Sequence, residues 1–307
     1  MRVLWATGDE REPVVFGEDH EPVPAPDEAI VEVEAFSINR GETFLLANPR
    51  PGRRPGKDVA GLVVQAAADG SGPAVGTRVV GHPEGSGWAE RVAVPTGSLA
   101  VLPDSVTSVQ AAALPLAGLT AVRLLRRAAL SPGDRVLITG ASGGVGHYFV
   151  ELAAAAGVEV TAVTAGPARG ERLLERGASA VVHDPAAAAG PFDVVLESVG
   201  DESFPAALQQ LRPGGKLIWF GMVSRTAPRI AFFDFFKGPN QATIEHFDYT
   251  RSDRGYDRDL ATLVRLVATG RLHPEIGLTE DWADTAKAVR ALRERTVRGK
   301  AVLTVSR

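Results

Sequence analysis

The sequence predicts an α/β fold in which a β-rich first part precedes a doubly wound parallel sheet. Up to about residue 110, short alternating or apolar runs are bounded by glycine, proline, aspartate or serine, which is typical of strands. Beyond Pro103, strand-like and helix-like segments alternate, as in a parallel sheet covered on both faces. A glycine-rich turn, Thr139–Gly146, joins the first strand of that alternation to a helix.

The individual elements follow from periodicity and from helix-ending glycines such as Gly157 and Gly177. In the first part we expect strands over Ala29–Glu34, Val59–Val64, Val75–Val80 and Trp88–Val94. Further on we expect helices over Ser108–Leu116, Leu119–Ala129, Gly144–Ala156, Glu171–Arg176 and Phe204–Leu211, and strands over Arg135–Thr139, Val158–Val163, Ala180–His183, Asp193–Leu196 and Lys216–Phe220. The tail predicts helices over Asp259–Ala268 and Trp282–Arg295 and a strand over Lys300–Val305.

The composition excludes several classes of function. The chain has 307 residues, enough for two domains, and a formal charge of −4, which argues against nucleic-acid or anionic-membrane partners. It contains no cysteine, so disulfides, thiolate catalysis and cysteine–zinc sites are excluded. No apolar run approaches the roughly 18–20 residues that span a membrane, and no signal-peptide core follows Met1. We therefore expect a cytosolic protein.

The glycine-rich turn predicts a dinucleotide site because it lies between a strand and a helix. Gly143 leaves room for a pyrophosphate, and Gly146 lets the helix pack closely on the sheet. The helix N-terminus offers unpaired N–H groups to the phosphates. The cofactor-binding residues expected here are Gly140, Ser142, Gly143, Gly144, Val145 and Gly146. The alternative is a tight turn without a ligand.

The end of the next strand indicates which dinucleotide is bound. NAD sites place a carboxylate there to hold the ribose hydroxyls, but the strand ends Val163-Thr164-Ala165-Gly166. Arg169 follows closely, and a guanidinium favours a 2′-phosphate. The hypothesis is NADPH, with Arg169 and Thr164 at the phosphate; the alternative for Arg169 is a solvated surface arginine.

The turn also fits the TGxxxGxG pattern of short-chain dehydrogenases, but two observations argue against that family. Its turn lies near the N-terminus, whereas Thr139 lies far along this chain. The family also needs Tyr-x-x-x-Lys, and the residues four beyond the tyrosines are not lysine: Tyr148 precedes Leu152, Tyr249 precedes Asp253, and Tyr256 precedes Leu260.

A series of motifs, in order and spacing, resembles the zinc-independent, quinone-reductase-like branch of the medium-chain dehydrogenase/reductase superfamily. The motifs are Phe36–Gly41, Pro55–Gly61, Val75–Val79, Gly87–Glu90, Leu114–Ala121, Gly140–Gly146, Asp193–Gly200 and Gly299–Leu303. The resemblance implies a GroES-like β-rich catalytic domain over residues 1–113, a Rossmann NADP-binding domain over 114–250, and a return to the catalytic domain over 251–307. It also implies a homodimer.

Zinc-dependent members of that superfamily bind the catalytic metal with cysteine, a His-Glu pair and a further cysteine or histidine. At the corresponding places this chain has Asn39 and Lys57-Asp58. None of the six histidines is paired at a ligand spacing of three to five residues, so no three-ligand zinc site is expected. All six are interpreted as structural or surface residues, with His147 the one to check.

The resemblance also implies roles for single residues. Asn39 would act at the hydride-transfer site as an amide donor to substrate or nicotinamide ribose, with a loop-capping asparagine as the alternative. Thr120 would supply a hydroxyl beside the nicotinamide, or simply begin a helix. Lys300 would reach the pyrophosphate, or be a surface lysine. The residues that end strands four and five, expected to line the ribose and nicotinamide, are Ser198, Val199, Gly200, Phe220 and Gly221.

Without a metal Lewis acid, reduction of a polarised acceptor is favoured over simple alcohol oxidation. The expected function is hydride transfer from NADPH to a quinone or α,β-unsaturated carbonyl. Related enoyl-thioester reductases use a tyrosine in the first domain as proton donor, but no tyrosine precedes Tyr148. An enoyl-thioester reductase and an NADP-binding sensor or scaffold without turnover remain alternatives. The phenylalanines of Phe232–Phe236 form core packing, a cleft wall or an interface.

Overall fold

The structure, a computed structural model, describes residues 1–306. Its strands are β1 (Arg2–Ala6), β2 (Val14–Glu18), β3 (Glu28–Ile38), β4 (Asp58–Gln65), β5 (Arg78–Gly81), β6 (Arg91–Pro95), β7 (Leu99–Val101), β8 (Arg135–Ile138), β9 (Glu159–Val163), β10 (Ala180–Val182), β11 (Phe192–Glu197), β12 (Leu211–Trp219), β13 (Thr243–His246), β14 (Ile276–Asp281) and β15 (Lys300–Thr304). Its α-helices are α1 (Arg40–Leu45), α2 (Ser108–Ala112), α3 (Pro115–Ala128), α4 (Gly144–Ala155), α5 (Glu171–Glu175), α6 (Ser203–Leu208), α7 (Tyr256–Ala268) and α8 (Thr285–Arg293).

The chain divides into two compact units. The first consists of Met1–Leu119 together with the segment that begins at Asp253, and the second is Thr120–Ser252. The first unit is therefore interrupted in sequence by the second. The domain ranges 1–113, 114–250 and 251–307 stay a prediction.

The first unit is built on a mostly antiparallel sheet in the order β14-β15-β3-β4-β5-β7, with β6 also paired to β3. The long strand β3 is central because it pairs with β4, β6 and β15. Its inward side chains, such as Val31 and Phe36, are fully buried in a core shared with Trp88 and Trp282. The predicted GroES-like β-rich part is confirmed.

The second unit is a six-stranded, all-parallel sheet in the order β10-β9-β8-β11-β12-β13. The chain runs outward from β8 to β10 and then returns to begin again at β11, so the strand order reverses between β8 and β11. In open α/β sheets, ligands bind at the carboxyl ends of the strands beside such a reversal. The Rossmann doubly wound fold is confirmed, and its sixth strand, β13, is an element that the sequence analysis did not predict.

Several element boundaries differ from the sequence-based expectation. The predicted helix Ser108–Leu116 ends at Ala112, and α3 begins at Pro115, since proline lacks an N–H and suits the first turn of a helix. The hairpin β1–β2 and the short helix α1 were not predicted. Within residues 1–306, no helix combines the length and apolar character needed to cross a bilayer.

The phenylalanine cluster near the end of the second unit is mostly exposed, so its interpretation as core packing is wrong. Phe232 and Phe233 are each 72% exposed and Phe236 is 63% exposed. Their rings contact one another, with centroids 5.4–6.0 Å apart. Phe235 alone among the four packs against the core of this unit. The cluster is therefore an apolar surface.

Candidate active site

The glycine-rich turn has the expected position, directly after β8 and before α4. Gly143 caps α4 in an extended conformation (φ −84°, ψ 179°), and its N–H donates to the Gly140 oxygen at 3.0 Å. A Cβ on Gly143 would meet only that oxygen, at 3.2 Å, so the space in front of it is open. A Cβ on Gly146 would lie 2.5–2.7 Å from backbone atoms of Ala141. Gly146 is therefore required for close packing, although against the turn itself rather than the sheet.

Residues that were predicted to lie at the carboxyl ends of different strands come together beside this turn. Gly140 has φ +65°, and a Cβ there would lie 2.8 Å from the Ser198 Oγ. A Cβ on Gly221 would lie 3.1 Å from the Ser198 Cβ. The Ser198 oxygen accepts from Val223 N and the Val199 oxygen from Ser224 N, at 2.9 and 2.8 Å. The carboxyl ends of β8, β11 and β12 thus converge where the strand order reverses.

Glu197, at the end of β11, accepts hydrogen bonds that hold these strand ends together. It was not predicted as a site residue. Its carboxylate accepts hydrogen bonds from the Thr139 and Ser203 hydroxyls and from the N–H groups of Val199 and Gly200, at 3.0–3.2 Å. The Glu197 oxygen also accepts from Phe220 N at 2.9 Å. Burial raises the pKa of Glu197, against the lowering effect of these donors. The sequence signal was a glutamate directly after the apolar run Val194–Leu196.

Arg169 lies beside the glycine-rich turn, as the NADPH hypothesis requires. It ends a short 3₁₀ turn, Pro167–Arg169, and its Nη1 lies 3.4 Å from the Ser142 Oγ. It is half-buried rather than fully solvated. Thr164 is buried, and its hydroxyl lies 3.1 Å from both the Gly166 oxygen and the His183 Nδ1. His183, which follows β10, is a neighbour that the sequence analysis did not assign to the site.

Thr120 is a buried residue within α3, one turn beyond the helix start. The interpretation of Thr120 as the first residue of a helix is therefore wrong, since α3 begins at Pro115. Its role beside a nicotinamide stays a prediction.

A buried polar network lies in the first unit around Asp58, the first residue of β4. Asp58 is fully buried, and its Oδ2 accepts from the Ser37 hydroxyl at 2.8 Å and from the Lys300 Nζ at 3.1 Å. Its Oδ1 accepts from Leu116 N at 2.9 Å and lies 3.5 Å from the His82 Nδ1. Burial alone would raise the pKa of Asp58, but the Lys300 ammonium and the His82 contact outweigh it and hold the pKa well below its usual value.

Asn39 belongs to the same network, and its role as an amide donor to substrate or nicotinamide ribose stays a prediction. Its Nδ2 donates to Asp58 Oδ2 at 2.8 Å and to Glu42 Oε2 at 3.1 Å. Its Oδ1 accepts from the Lys300 Nζ at 2.6 Å. An asparagine amide has two N–H donors, and both are used here. Asn39 also occupies the N-cap position of α1, as the loop-capping alternative proposed.

Lys300 is not a surface lysine, so that alternative is wrong. Its side chain is 2% exposed and its ammonium is shared between Asp58 and Asn39. Contact with a pyrophosphate stays a prediction, and the geometry does not favour it because the charge already has a buried partner. This pairing is not visible in the sequence because the two residues lie on distant segments, β4 and β15.

Glu42, in α1, is the other buried acid of the network. Its Oε2 accepts from Asn39 N at 2.9 Å, and its Oε1 accepts from Gly56 N at 3.0 Å. Burial and the neighbouring Asp58 charge raise the pKa of Glu42 to about 7, against the hydrogen bonds from Asn39 and the Lys300 charge. Near neutral pH this carboxyl therefore changes its protonation state.

Glu42 should make the folded protein less stable as pH rises from about 4.5 to about 7. In that window the folded state keeps a proton that the unfolded state has lost, so the free energy of unfolding falls with pH. At 1.36 kcal/mol per unit, the whole change is about 3 kcal/mol. Glu42→Gln removes this titration. Urea unfolding at pH 5 and pH 7.5 measures the free energy of unfolding of both proteins. The wild-type value minus the variant value should be smaller at pH 7.5 than at pH 5. An unchanged difference would contradict the assignment.

Two histidines are buried and hydrogen-bonded to backbone. The His147 Nδ1 lies 3.1 Å from the Gly143 oxygen, and the His82 Nδ1 lies 2.7 Å from the Lys57 oxygen. Across the part of the chain that the structure describes, no group of three or more histidines, aspartates or glutamates is arranged to hold a metal ion.

Two family models match the chain. Residues 25–104 match the alcohol dehydrogenase GroES-like domain, and residues 175–303 match a family described as zinc-binding dehydrogenase. A chloroplast envelope quinone oxidoreductase homolog of Arabidopsis thaliana is 35% identical over 64% of this chain and 68% of its own length. An acryloyl-coenzyme A reductase of Metallosphaera sedula is 28% identical over 71% of this chain and 64% of its own.

A much longer relative and a solved structure are also similar to this chain over nearly its whole length. A spectinabilin polyketide synthase protein, NorB of Streptomyces orinoci, is 34% identical over 92% of this chain, which spans only 13% of that protein's length. The structure of the mycobacterial protein Rv1454c complexed with NADPH superposes with a TM-score of 0.88 at 25% identity, covering 99% of this chain and 98% of that one.

The all-parallel sheet, with the carboxyl ends of β8, β11 and β12 meeting beside the glycine-rich turn, is typical of a dinucleotide-binding α/β protein. The other unit of this protein is GroES-like. The chain belongs to the medium-chain dehydrogenase/reductase superfamily, in its quinone oxidoreductase-like branch.

Proposed function

We propose that the protein is an NADPH-dependent oxidoreductase that transfers hydride to a quinone or an α,β-unsaturated carbonyl without a metal. The observation that carries the proposal is the convergence of Gly140, Ser198 and Gly221 beside the open face of Gly143. Family membership adds support, because relatives in this branch are oxidoreductases.

The residues of the second unit fit the dinucleotide. The first turn of α4 offers the N–H groups of Gly144, Val145 and Gly146, which have no intrahelical partner in any α-helix. Arg169 adds a positive charge beside Ser142, where a 2′-phosphate would be held by charge-assisted hydrogen bonds. The bound coenzyme supplies the hydride. The chain's own contribution is to fix the loops Ser198–Gly200 and Phe220–Gly221 through Glu197.

The first unit does not fit a catalytic zinc. The resemblance aligns Asn39 and Asp58 with zinc-ligand positions, and the Lys300 ammonium lies between them, 2.6 and 3.1 Å from their oxygens. A divalent cation there would meet a buried positive charge. The protein is therefore expected to act without a metal and to prefer acceptors, such as quinones and enones, whose own π-system takes up the charge.

An enoyl-thioester reductase is the second candidate, favoured by the similarity to an acryloyl-coenzyme A reductase. Thioesters of unsaturated acids accept hydride at carbon in the same way as enones. Mixing the protein with NADPH and a panel of quinones, enones and enoyl thioesters, and following nicotinamide absorbance, tests both candidates. Oxidation of NADPH by at least one acceptor is expected. NADPH binding with no oxidation by any acceptor would favour a sensor or scaffold instead.

Arg169→Ala should reduce the preference for NADPH over NADH by about ten- to a hundredfold. The charge-assisted contact with a 2′-phosphate contributes roughly 1.5–3 kcal/mol, and NADH cannot make it. The measurement is the ratio of kcat/KM values for the two coenzymes. Arg212→Ala, which removes a half-exposed arginine paired with Asp193, is the matched control. An unchanged ratio in the Arg169 variant would refute the assignment.

A homodimer formed through the second unit is also part of the proposal. Phe232, Phe233 and Phe236 form an exposed apolar surface, and soluble monomers seldom expose contiguous apolar surface of this kind. Light scattering should give twice the chain mass for the wild type. Phe232→Ser/Phe236→Ser should shift the mass toward the monomer, whereas Val23→Ser, at a residue 91% exposed in the first unit, should not. A monomeric wild type would contradict the proposal.

A further inference from the structure

Glu197 is a fully buried acid of the second unit whose carboxylate has no cation beside it. Its hydrogen-bond donors are hydroxyl and backbone N–H groups, which are all neutral. Among residues 1–306, no lysine, arginine or histidine forms an ion pair with it, in contrast to Asp58, which is paired with Lys300. Burying a charge without a counter-charge is costly, so the position of this carboxylate calls for an explanation.

The groups around the carboxylate favour its ionised form. Its Oε1 accepts from the Ser203 hydroxyl at 3.1 Å, and both oxygens accept from Gly200 N, at 3.2 and 3.1 Å. The Thr139 hydroxyl accepts from Ser198 N at 2.9 Å and gives its own proton to Glu197 Oε1, at 3.2 Å. Hydrogen bonds donated to a carboxylate favour the charged form, whereas burial acts in the opposite direction and raises the pKa of Glu197.

This charge lies at the end of the sheet that serves the nicotinamide half of a dinucleotide. The strand order reverses between β8 and β11, and a dinucleotide binds across such a reversal with one nucleotide over each half of the sheet. The adenosine half belongs with β8 and β9, which precede the glycine-rich turn and Arg169. The nicotinamide half then belongs with β11 and β12, and Glu197 is the last residue of β11.

Glu197 also contacts both of the loops that are expected to line the nicotinamide. Its carboxylate accepts from Val199 N and Gly200 N at 3.0–3.2 Å, and its backbone oxygen accepts from Phe220 N at 2.9 Å. The charge is therefore fixed relative to these loops. Because the side chain is removed from solvent, water and salt screen its field only weakly.

The proposed reaction changes the charge of the coenzyme in this half of the sheet. Hydride transfer breaks a C–H bond of the reduced nicotinamide, and the electron pair leaves with the hydrogen to the acceptor. The ring is neutral before this step and carries one positive charge after it. A fixed anion nearby stabilises the positive ring, and the partial charge of the transition state, more than it stabilises the neutral ring.

We propose that the buried carboxylate of Glu197 stabilises the positive charge that hydride transfer creates on the nicotinamide. The inference rests on the proposed NADPH-dependent reduction and assigns to one residue a preference for the oxidised coenzyme over the reduced one. Glu197 is a positioning residue, because it is fully buried and acts through its field and through the loop that follows it. A purely structural role would instead weaken both forms of the coenzyme equally.

The test measures the dissociation constants of NADP⁺ and NADPH by calorimetric titration at pH 8, and it needs no acceptor. Glu197→Gln keeps the size of the side chain and removes the charge. It should raise the ratio of the NADP⁺ constant to the NADPH constant by about five- to tenfold. Glu197→Asp keeps the charge and should keep the wild-type ratio, even where both coenzymes bind more weakly. Adenosine 2′,5′-bisphosphate lacks the nicotinamide and should bind all folded variants alike.

Asp193→Asn is the matched control within the same strand. Asp193 lies near the amino end of β11, at the opposite edge of the sheet, and its Oδ1 lies 2.6 Å from the Arg212 Nε. Its charge is therefore both paired and far from the strand ends that bind the coenzyme. The ratio of the two dissociation constants should stay at the wild-type value in this variant.

Ser203→Lys tests the charge without altering Glu197. Ser203 is half-buried, and its hydroxyl lies 3.1 Å from Glu197 Oε1, so an ammonium introduced there can pair with the carboxylate. The ratio should move in the same direction as in Glu197→Gln. Ser203→Gln adds a long side chain without a charge and should leave the ratio unchanged.

An unchanged ratio in Glu197→Gln, or an equal weakening of both coenzymes, would overturn the proposal. If that variant does not bind adenosine 2′,5′-bisphosphate and so is not folded, the comparison of Ser203→Lys with Ser203→Gln decides in the same way. If an acceptor oxidises NADPH and the ratio does not move, this inference fails while the proposed function stands. If both coenzymes bind and no acceptor oxidises NADPH, the proposed function fails, and the ratio still decides which form Glu197 favours.

Discussion

Lys300→Met is expected to lower the free energy of unfolding by about 3–5 kcal/mol, because it leaves a buried carboxylate without its counter-charge. Asp58 is fully buried, and Lys300 Nζ lies 3.1 Å from its Oδ2. Methionine keeps most of the side-chain volume, so the loss would come from charge and hydrogen bonding rather than from a cavity. Urea unfolding at pH 7 measures it.

The matched control is Lys287→Met. Lys287 lies 2.8 Å from Glu280 Oε1 but is 58% exposed, and surface pairs contribute at most about 1 kcal/mol. Adding Asp58→Asn to Lys300→Met should recover part of the loss, since the unpaired charge is then gone. Equal effects of the two lysine substitutions would mean that the buried pair does not stabilise the fold.

Gly143→Ala is expected to weaken NADPH binding at least tenfold, or about 1.4 kcal/mol, with little loss of stability. The backbone at Gly143 is extended, which any residue adopts, and a methyl group would meet only the Gly140 oxygen at 3.2 Å. The methyl would occupy the space proposed for the pyrophosphate. Fluorescence titration with NADPH measures the dissociation constant.

Gly146→Ala, in contrast to Gly143→Ala, should have its main effect on the free energy of unfolding rather than on NADPH binding. Its Cβ would lie 2.5 Å from the Ala141 Cα, and a forced backbone shift costs about 1–3 kcal/mol or more. Gly97→Ala, where a Cβ meets nothing within 4 Å, is a control for both measurements. If Gly143→Ala binds NADPH as the wild type does, the coenzyme lies elsewhere.

The second unit was predictable from sequence because its strands are apolar, evenly spaced and separated by helices. Five of its six strands were found in this way, and the sixth, β13, was missed. β13 has the sequence Thr-Ile-Glu-His, lies at the sheet edge, and has no fully buried residue. Such an edge strand lacks the apolar run that marks a central one.

The two parts of the candidate site differ in how far they could be predicted. Parallel strands end at one edge of their sheet, so residues such as Ser198 and Gly221 could be brought together from the strand pattern alone. The network around Asp58 could not, because it depends on pairing between β3, β4 and β15. A lysine at the start of a strand and a glutamate in a short helix usually indicate exposed positions. Lys300 and Glu42 are buried instead.

The position of Lys300 also bears on how the protein is made. Asp58 is translated before the second unit, whereas its counter-charge lies on β15, which is translated only after the whole of Thr120–Ser252. The second unit is continuous in sequence, so it can fold while the chain is still growing. The first unit reaches its final packing only when β15 pairs with β3 and neutralises that carboxylate. The buried carboxylate of the first unit therefore has no counter-charge until the whole of the second unit has been translated.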